Sequence, residues 1–137
     1  MTNDATIVRS PWAQVGRVAK FGIVGFTGTL INAATLWLLV RRLGLPVVVA
    51  AGVAVELAVI SNFLLNSRWT FAARPSCLRF AKFNAASLAG LGVNVIGVWL
   101  LTHLGLYLLA ADLIGIAVGF AANYVISVVW VWSRAAR

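Results

Sequence analysis

The residues able to do chemistry gather in one stretch, Glu56 to Phe71, which reads Glu-Leu-Ala-Val-Ile-Ser-Asn-Phe-Leu-Leu-Asn-Ser-Arg-Trp-Thr-Phe. It begins inside an apolar run that opens at Val47 and ends in a polar, basic, aromatic cluster. Asn62, Asn66, Arg68 and Trp69 supply what phosphate recognition uses, a cation for charge and amide donors for orientation in a partly desolvated place. Lys20 and Lys82 begin two further apolar runs on the same side and add two more cations. Ordinary anchoring draws on the same residue types, with Trp in an interfacial belt and Lys or Arg on any anionic head group. On composition alone, anchoring is the stronger reading.

Glu56 sits near the middle of its apolar run. Insertion scales assign an acidic residue at that depth a cost of about 2.5–3.5 kcal/mol, so its presence needs a cause. It is turned about 200° from Ala54, because each helical residue advances roughly 100°. It therefore points away from the small-residue positions, toward another helix, a second subunit or a polar cavity. Two roles stand open: a protonated carboxyl hydrogen-bonded to Asn32 or Asn94 at similar depth, or a proton or substrate contact. His103 and Asp112 lie near the outer ends, where isolated polar residues are most often solvated. The sequence offers no carboxylate pair, no nucleophile beside a base and no phosphate-cradling loop, so an enzyme is not expected. Cys77 is the one cysteine, which excludes an internal disulfide and disfavours a thiolate metal site; no metal or other cofactor is expected.

The elements that must hold these residues are membrane spans. With 62% hydrophobic and 10% charged residues, the 137-residue chain could not hide its apolar surface in one small water-soluble domain. A hydrocarbon core about 30 Å thick needs about 20 helical residues, which leaves room for four crossings. Hydropathy and turn residues predict an all-α membrane protein with spans at about 20–40, 47–67, 83–101 and 107–129. Leu43-Gly44-Leu45-Pro46 and Leu104-Gly105-Leu106 make the outer turns. Residues 1–19 read as a cytoplasmic segment with a short interfacial lead-in begun by Ser10-Pro11, residues 20–134 as the transmembrane domain, and 135–137 as a cytoplasmic tail. The run from Phe21 to Val40 is longer than the 7–15 residues usual for a signal-peptide core, so it reads as a retained helix.

The formal charge of +8 does not point to nucleic acid. Arg9, Arg17 and Lys20, then Arg68, Arg74, Arg79 and Lys82, then Arg134 and Arg137 all fall on one side of the predicted spans, against Arg41 and Arg42 on the other. Positive charge concentrates on the cytoplasmic side, which places both termini and the middle loop in the cytoplasm and the chain in the cell's inner membrane.

The spans repeat. A shift of 62 aligns Lys20-Phe21 with Lys82-Phe83, Gly28 with Gly90, Asn32 with Asn94, and Trp37-Leu38-Leu39 with Trp99-Leu100-Leu101. After one gap, a shift of 61 aligns Leu43-Gly44-Leu45 with Leu104-Gly105-Leu106, Asn62-Phe63 with Asn123-Tyr124, and Trp69 with Trp130. Each half holds two spans, so both hairpins enter from the same side and form a parallel repeat about the membrane normal. Ala50, Ala54, Ala58, Asn62 and Asn66 recur every four residues, answered by Ala111, Gly115, Gly119, Asn123 and Ser127. Small residues at that spacing let helix backbones touch.

The pattern Lys20-Phe21-x2-Val24-Gly25, then Asn32, then Asn62-Phe63-x2-Asn66-x-Arg68-Trp69-x-Phe71 resembles the GtrA family of four-span membrane proteins. The same pattern is seen in the membrane portion of some dolichol-phosphate-mannose-synthase-like enzymes. The resemblance covers about Lys20 to Arg134 and implies a role with polyprenyl-phosphate-linked sugars, carried from the cytoplasmic to the outer leaflet for polysaccharide or glycolipid synthesis. It implies that Arg68, Lys20 and Lys82 hold the lipid phosphate, that Asn62 and Asn66 contact phosphate or sugar, and that apolar helix faces accept the prenyl chain. In the second half Lys82, Asn94, Asn123 and Trp130 keep the pattern, whereas Val129 and Ser127 stand in place of Arg68 and Asn66; on this account the first half holds the phosphate.

Candidate substrate contacts are therefore Lys20, Asn32, Glu56, Asn62, Asn66, Arg68, Trp69, Lys82, Asn94 and Asn123. The expected partners are a polyprenyl-phosphate sugar lipid, membrane lipids, a glycosyltransferase and further copies of the chain, since four short helices leave little room for a sugar path in one copy. Against translocation stands a non-transporting protein that anchors or organises a glycosyltransferase through its basic face. A small multidrug exporter shares the size and the single membrane carboxylate, but that family carries its Glu in the first helix.

Overall fold

The computed structural model describes residues 11–133; the helix cap expected at Ser10, the rest of the N-terminal segment and the tail beyond Ser133 lie outside the described residues. Four helices follow one another: α1 (Pro11–Arg41), α2 (Val47–Leu65), α3 (Cys77–His103) and α4 (Leu108–Ile126). α2 and α4 each run on into a five-residue π-helical turn, Asn66–Thr70 and Ser127–Val131. Counted with those turns, each helix is apolar enough and, at 24 to 30 residues, long enough to cross a membrane. No strand occurs among the described residues. The chain is an all-α, multi-pass membrane protein.

The lead-in is not a separate element. α1 runs unbroken from Pro11, because nothing between Trp12 and Lys20 removes a backbone donor or caps a helix end. A lone Gly16 costs only about 1 kcal/mol. α3 likewise starts at Cys77 rather than Phe83, where the Ser76 side chain accepts a hydrogen bond from the Arg79 backbone N–H at 3.3 Å. At about 1.5 Å per residue both helices outrun a 30 Å hydrocarbon core. Arg17 and Lys20 fall within the first ten residues of α1, and Arg79 and Lys82 within the first six of α3.

α1 packs on α2, and α3 packs on α4, with much sparser contact between the two hairpins. The seams are the small-residue ridges: Ala50, Ala54 and Ala58 are buried in the first hairpin, Ala111, Gly115 and Gly119 in the second. At the opposite end Gly44 (φ +66°) and Gly105 (φ +88°) take the left-handed backbone that closes α1 and α3, conformations that L side chains adopt at a cost of about 1–2 kcal/mol.

What joins the hairpins is aromatic. Phe21, Phe63, Phe71, Phe83 and Trp132 form one buried cluster at the end bearing the lysines. Phe71 and Trp132 are mates under the repeat, and they stack with ring centroids 4.3 Å apart and planes 9° from parallel. Two equivalent residues can meet face to face only on the axis that relates them. The surrounding contacts obey the same axis: Phe21 against Tyr124 at 5.3 Å answers Phe83 against Phe63 at 5.9 Å, and Phe21 against Phe71 answers Phe83 against Trp132. The duplication read from the sequence is thus a duplication in space.

Candidate functional site

The site is built twice. Lys20 on α1 lays its ammonium over the Trp69 ring at 5.4 Å, and Lys82 on α3 does the same over Trp130, also at 5.4 Å. Both tryptophans are 46% exposed, so each pair forms a half-open rim with an apolar floor and a cation held above it. The π-helical turns set this geometry. In each, the last N–H reaches back five residues, Phe71 to the Asn66 carbonyl and Trp132 to the Ser127 carbonyl, both at 2.9 Å. The wider turn places Trp69 and Trp130 toward the lysines while Phe71 and Trp132 turn into the core.

Each repeat adds an arginine one turn before its lysine. Arg17 lies 5.9 Å from the Phe71 ring centroid, and Arg79 donates from its guanidinium to the Arg74 carbonyl. Sequence reasoning used these two arginines only to orient the chain. The signal was present in the near-identical Arg17-Val-Ala-Lys20-Phe21 and Arg79-Phe-Ala-Lys82-Phe83. Around the second station a cavity of about 450 Å³ is lined by Ser76, Arg79, Lys82, Trp130 and Ser133. An apolar groove of about 360 Å³, lined by Ile60, Phe63, Leu64, Pro75 and Phe80, shares the Ser76 wall with it.

The asparagines divide into two classes. Asn66 is 2% exposed and accepts the Thr70 hydroxyl at 2.8 Å, which makes it a brace for the π turn rather than an open contact at the rim. Deeper in the hairpins, Asn32, Asn62 and Asn94 each bury a side-chain carbonyl oxygen without a hydrogen-bond partner among the described residues. Asn123 accepts the Ser127 hydroxyl at 3.3 Å. Asn62 fits between α1 and α2 because Gly28 faces it, and a methyl there would overlap the Asn62 amide. Asn94 and Asn123, with Ser87, Gly90 and Gly119, line a groove of about 190 Å³ between α3 and α4. Buried amides with free acceptors are expensive.

Glu56 is exposed on α2 and makes no ion pair or hydrogen bond among the described residues. It points away from the buried Ala54, as the helical phase requires, but the partners expected for it, Asn32 and Asn94, do not reach it. Arg68 is exposed beside Trp69 and is likewise free of hydrogen bonds among the described residues. Lys82 is paired with Trp130 instead of joining the Arg68 rim, so the single cluster expected from sequence resolves into two stations, one per repeat. Among the described residues no group of three or more His, Cys, Asp or Glu side chains could hold a metal ion.

This twofold arrangement covers the part of the chain that comparison with known proteins picks out: residues 20–132 match the GtrA/DPMS transmembrane domain. The chain belongs to the GtrA/DPMS transmembrane-domain family. It is also 44% identical over 117 residues to a dolichol-phosphate mannosyltransferase of Pyrococcus furiosus, an alignment that takes in 83% of this chain and 33% of the relative. The chain thus spans about one third of the length of that curated relative. The GtrA/DPMS match begins at Lys20 and ends at Trp132, so it contains both lysine–tryptophan stations and the axial stack.

Proposed function

We propose that the protein moves a polyprenyl-phosphate-linked sugar from the cytoplasmic to the outer leaflet of the cell's inner membrane, for synthesis of surface polysaccharide or glycolipid. The observation that carries this reading is the pair of lysine–tryptophan stations at the basic end, above hairpins whose buried asparagine oxygens lack partners. Cations at head-group level attract the phosphate, Arg68 adds charge at the first rim, and the amides offer hydrogen bonds to sugar hydroxyls below it. The lysine-rich end faces the cytoplasm, as do both chain termini, in keeping with the positive-inside rule. The functional form is an oligomer. The relative's name, dolichol-phosphate mannosyltransferase, supports the ligand class, since it joins a long-chain isoprenoid phosphate with a sugar.

A second reading has its own support. This chain matches only a third of a longer protein named as a transferase, so the same fold could hold a separate glycosyltransferase at the membrane without moving its product. Purified protein in liposomes separates the two. Movement of a fluorescent polyprenyl-phosphate sugar across the bilayer, reduced at least about tenfold by Arg68→Ala or Asn62→Ala, is the outcome expected of translocation, given the worth of hydrogen bonds to charged groups. Capture of a glycosyltransferase with no lipid movement would support the anchor, and wild-type movement in both variants would end the assignment of these residues.

A further inference from the structure

The two stations are not equivalent, and we infer that the second repeat holds a single lipid-borne phosphate in the Arg79–Lys82 cavity, with the lipid's first isoprene units in the adjoining apolar groove. The inference rests on the ligand class proposed above and reverses the expectation that the first half is the holder. Two features set the second station apart. α1 passes its lysine well inside the helix, having begun at Pro11, whereas α3 begins at Cys77 just before Arg79 and Lys82, so the N-terminal turn of α3 forms part of the cavity wall. The helix dipole favours an anion at that end, and Arg79 and Lys82 add two cations to it. Ser76 and Ser133 supply hydroxyls where the first repeat has Gln14, which lies within α1, and Ala72. The Ser76 oxygen accepts from the Arg79 N–H, which leaves its own hydrogen to donate.

The apolar groove decides what kind of phosphate fits. Ile60, Phe63, Leu64, Pro75 and Phe80 form an open apolar groove, and Ser76 at the start of α3 lines both this groove and the basic cavity. A phosphate on a single prenyl chain can place its charge in the cavity and its chain past Ser76 in the groove. A diacyl lipid offers two chains to one groove, and free phosphate makes no use of it.

The test is native mass spectrometry of the full chain in detergent, titrated separately with undecaprenyl phosphate, phosphatidylglycerol and inorganic phosphate. The expected result is one undecaprenyl phosphate per chain, bound about tenfold more weakly after Arg79→Gln or Lys82→Gln, the scale of a lost charge-assisted hydrogen bond. Arg17→Gln and Lys20→Gln should weaken it by less than about threefold, the scale of an exposed charge. Leu64→Trp, which fills the groove without lining the cavity, should weaken undecaprenyl phosphate and leave phosphatidylglycerol unchanged. Equal losses in both repeats, or larger losses in the first, would overturn the inference, as would phosphatidylglycerol or inorganic phosphate binding as tightly as the prenyl lipid. Thermal unfolding of each variant separates lost binding from lost folding. The assay needs no transport, so absent lipid movement with this binding profile would retire translocation and keep the pocket, whereas intact movement with a flat profile would do the reverse.

Discussion

At the scale of single residues, the glycines show where two backbones cannot be moved apart. A methyl built on Gly90 would stand 2.8 Å from the Gly119 carbonyl oxygen and 2.8 Å from the Asn123 Cβ. The first of these is backbone, which cannot swing aside as a side chain can. Gly90→Ala must therefore separate α3 from α4, and we expect it to destabilise the protein by about 1–3 kcal/mol, the usual range for overpacking. Gly92, two residues on, has nothing within 4 Å of where a methyl would stand, and Gly92→Ala should be neutral or stabilising by up to about 1 kcal/mol because alanine is the better helix former. Thermal unfolding in detergent by circular dichroism reads both. A melting temperature lowered equally by the two variants would show that the close approach at Gly90 is not what holds the second hairpin.

At the scale of elements, the π-helical turns connect core packing to the rim. Asn66 braces its turn through Thr70, and Ser127, its mate, braces the other through Asn123. Asn66→Ala should cost about 1–3 kcal/mol by stranding the buried Thr70 hydroxyl, and should weaken lipid binding only by misplacing Trp69. Asn66→Ser should cost less than half as much, because a serine at that position can donate to the Asn62 oxygen that has no partner now, as Ser127 does to Asn123. Unfolding midpoints set beside lipid affinity check this, and an Asn66→Ala protein of normal stability that had lost binding would make Asn66 a direct contact after all. Spans, turns and small-residue seams were legible in the sequence because a bilayer sets a minimum apolar length for every helix that crosses it. Asn66 was not, because whether an amide at the end of a span faces head groups or core depends on a single extra residue in the last turn. Hydropathy does not register that change. The aromatic stack of Phe71 on Trp132 escaped for a related reason: it joins residues that only the three-dimensional axis brings together. Arg79 and Ser76 were hidden by an economical explanation, since topology alone already accounted for the basic residues of the middle loop.

At the scale of the whole molecule, the orientation in the membrane and the number of copies can each be tested through a single residue. Cys77 is exposed at the start of α3, on the lysine-bearing side, and is the only cysteine in the chain. A membrane-impermeant maleimide should therefore label it in inside-out vesicles and not in intact cells, whereas Gly44→Cys with Cys77→Ser should label from outside; the reverse pattern would invert the topology. Glu56 bears on copy number. It lies mid-span on a face of α2 that also carries Val49, Val53 and Ile60, exposed by 53%, 42% and 40%, together with Gly52, which no neighbouring atom approaches. A carboxyl there facing lipid would carry an insertion cost of about 2.5–3.5 kcal/mol with nothing to offset it. A second copy packed on this face offers a close approach at Gly52 and removes the carboxyl from lipid. Glu56→Cys with Cys77→Ser should then form a disulfide-linked dimer on mild oxidation in native membranes, and Gly52→Leu added to it should abolish the link by holding the helices apart. A monomeric band in the first variant would mean that Glu56 meets lipid, or a different protein, across this face.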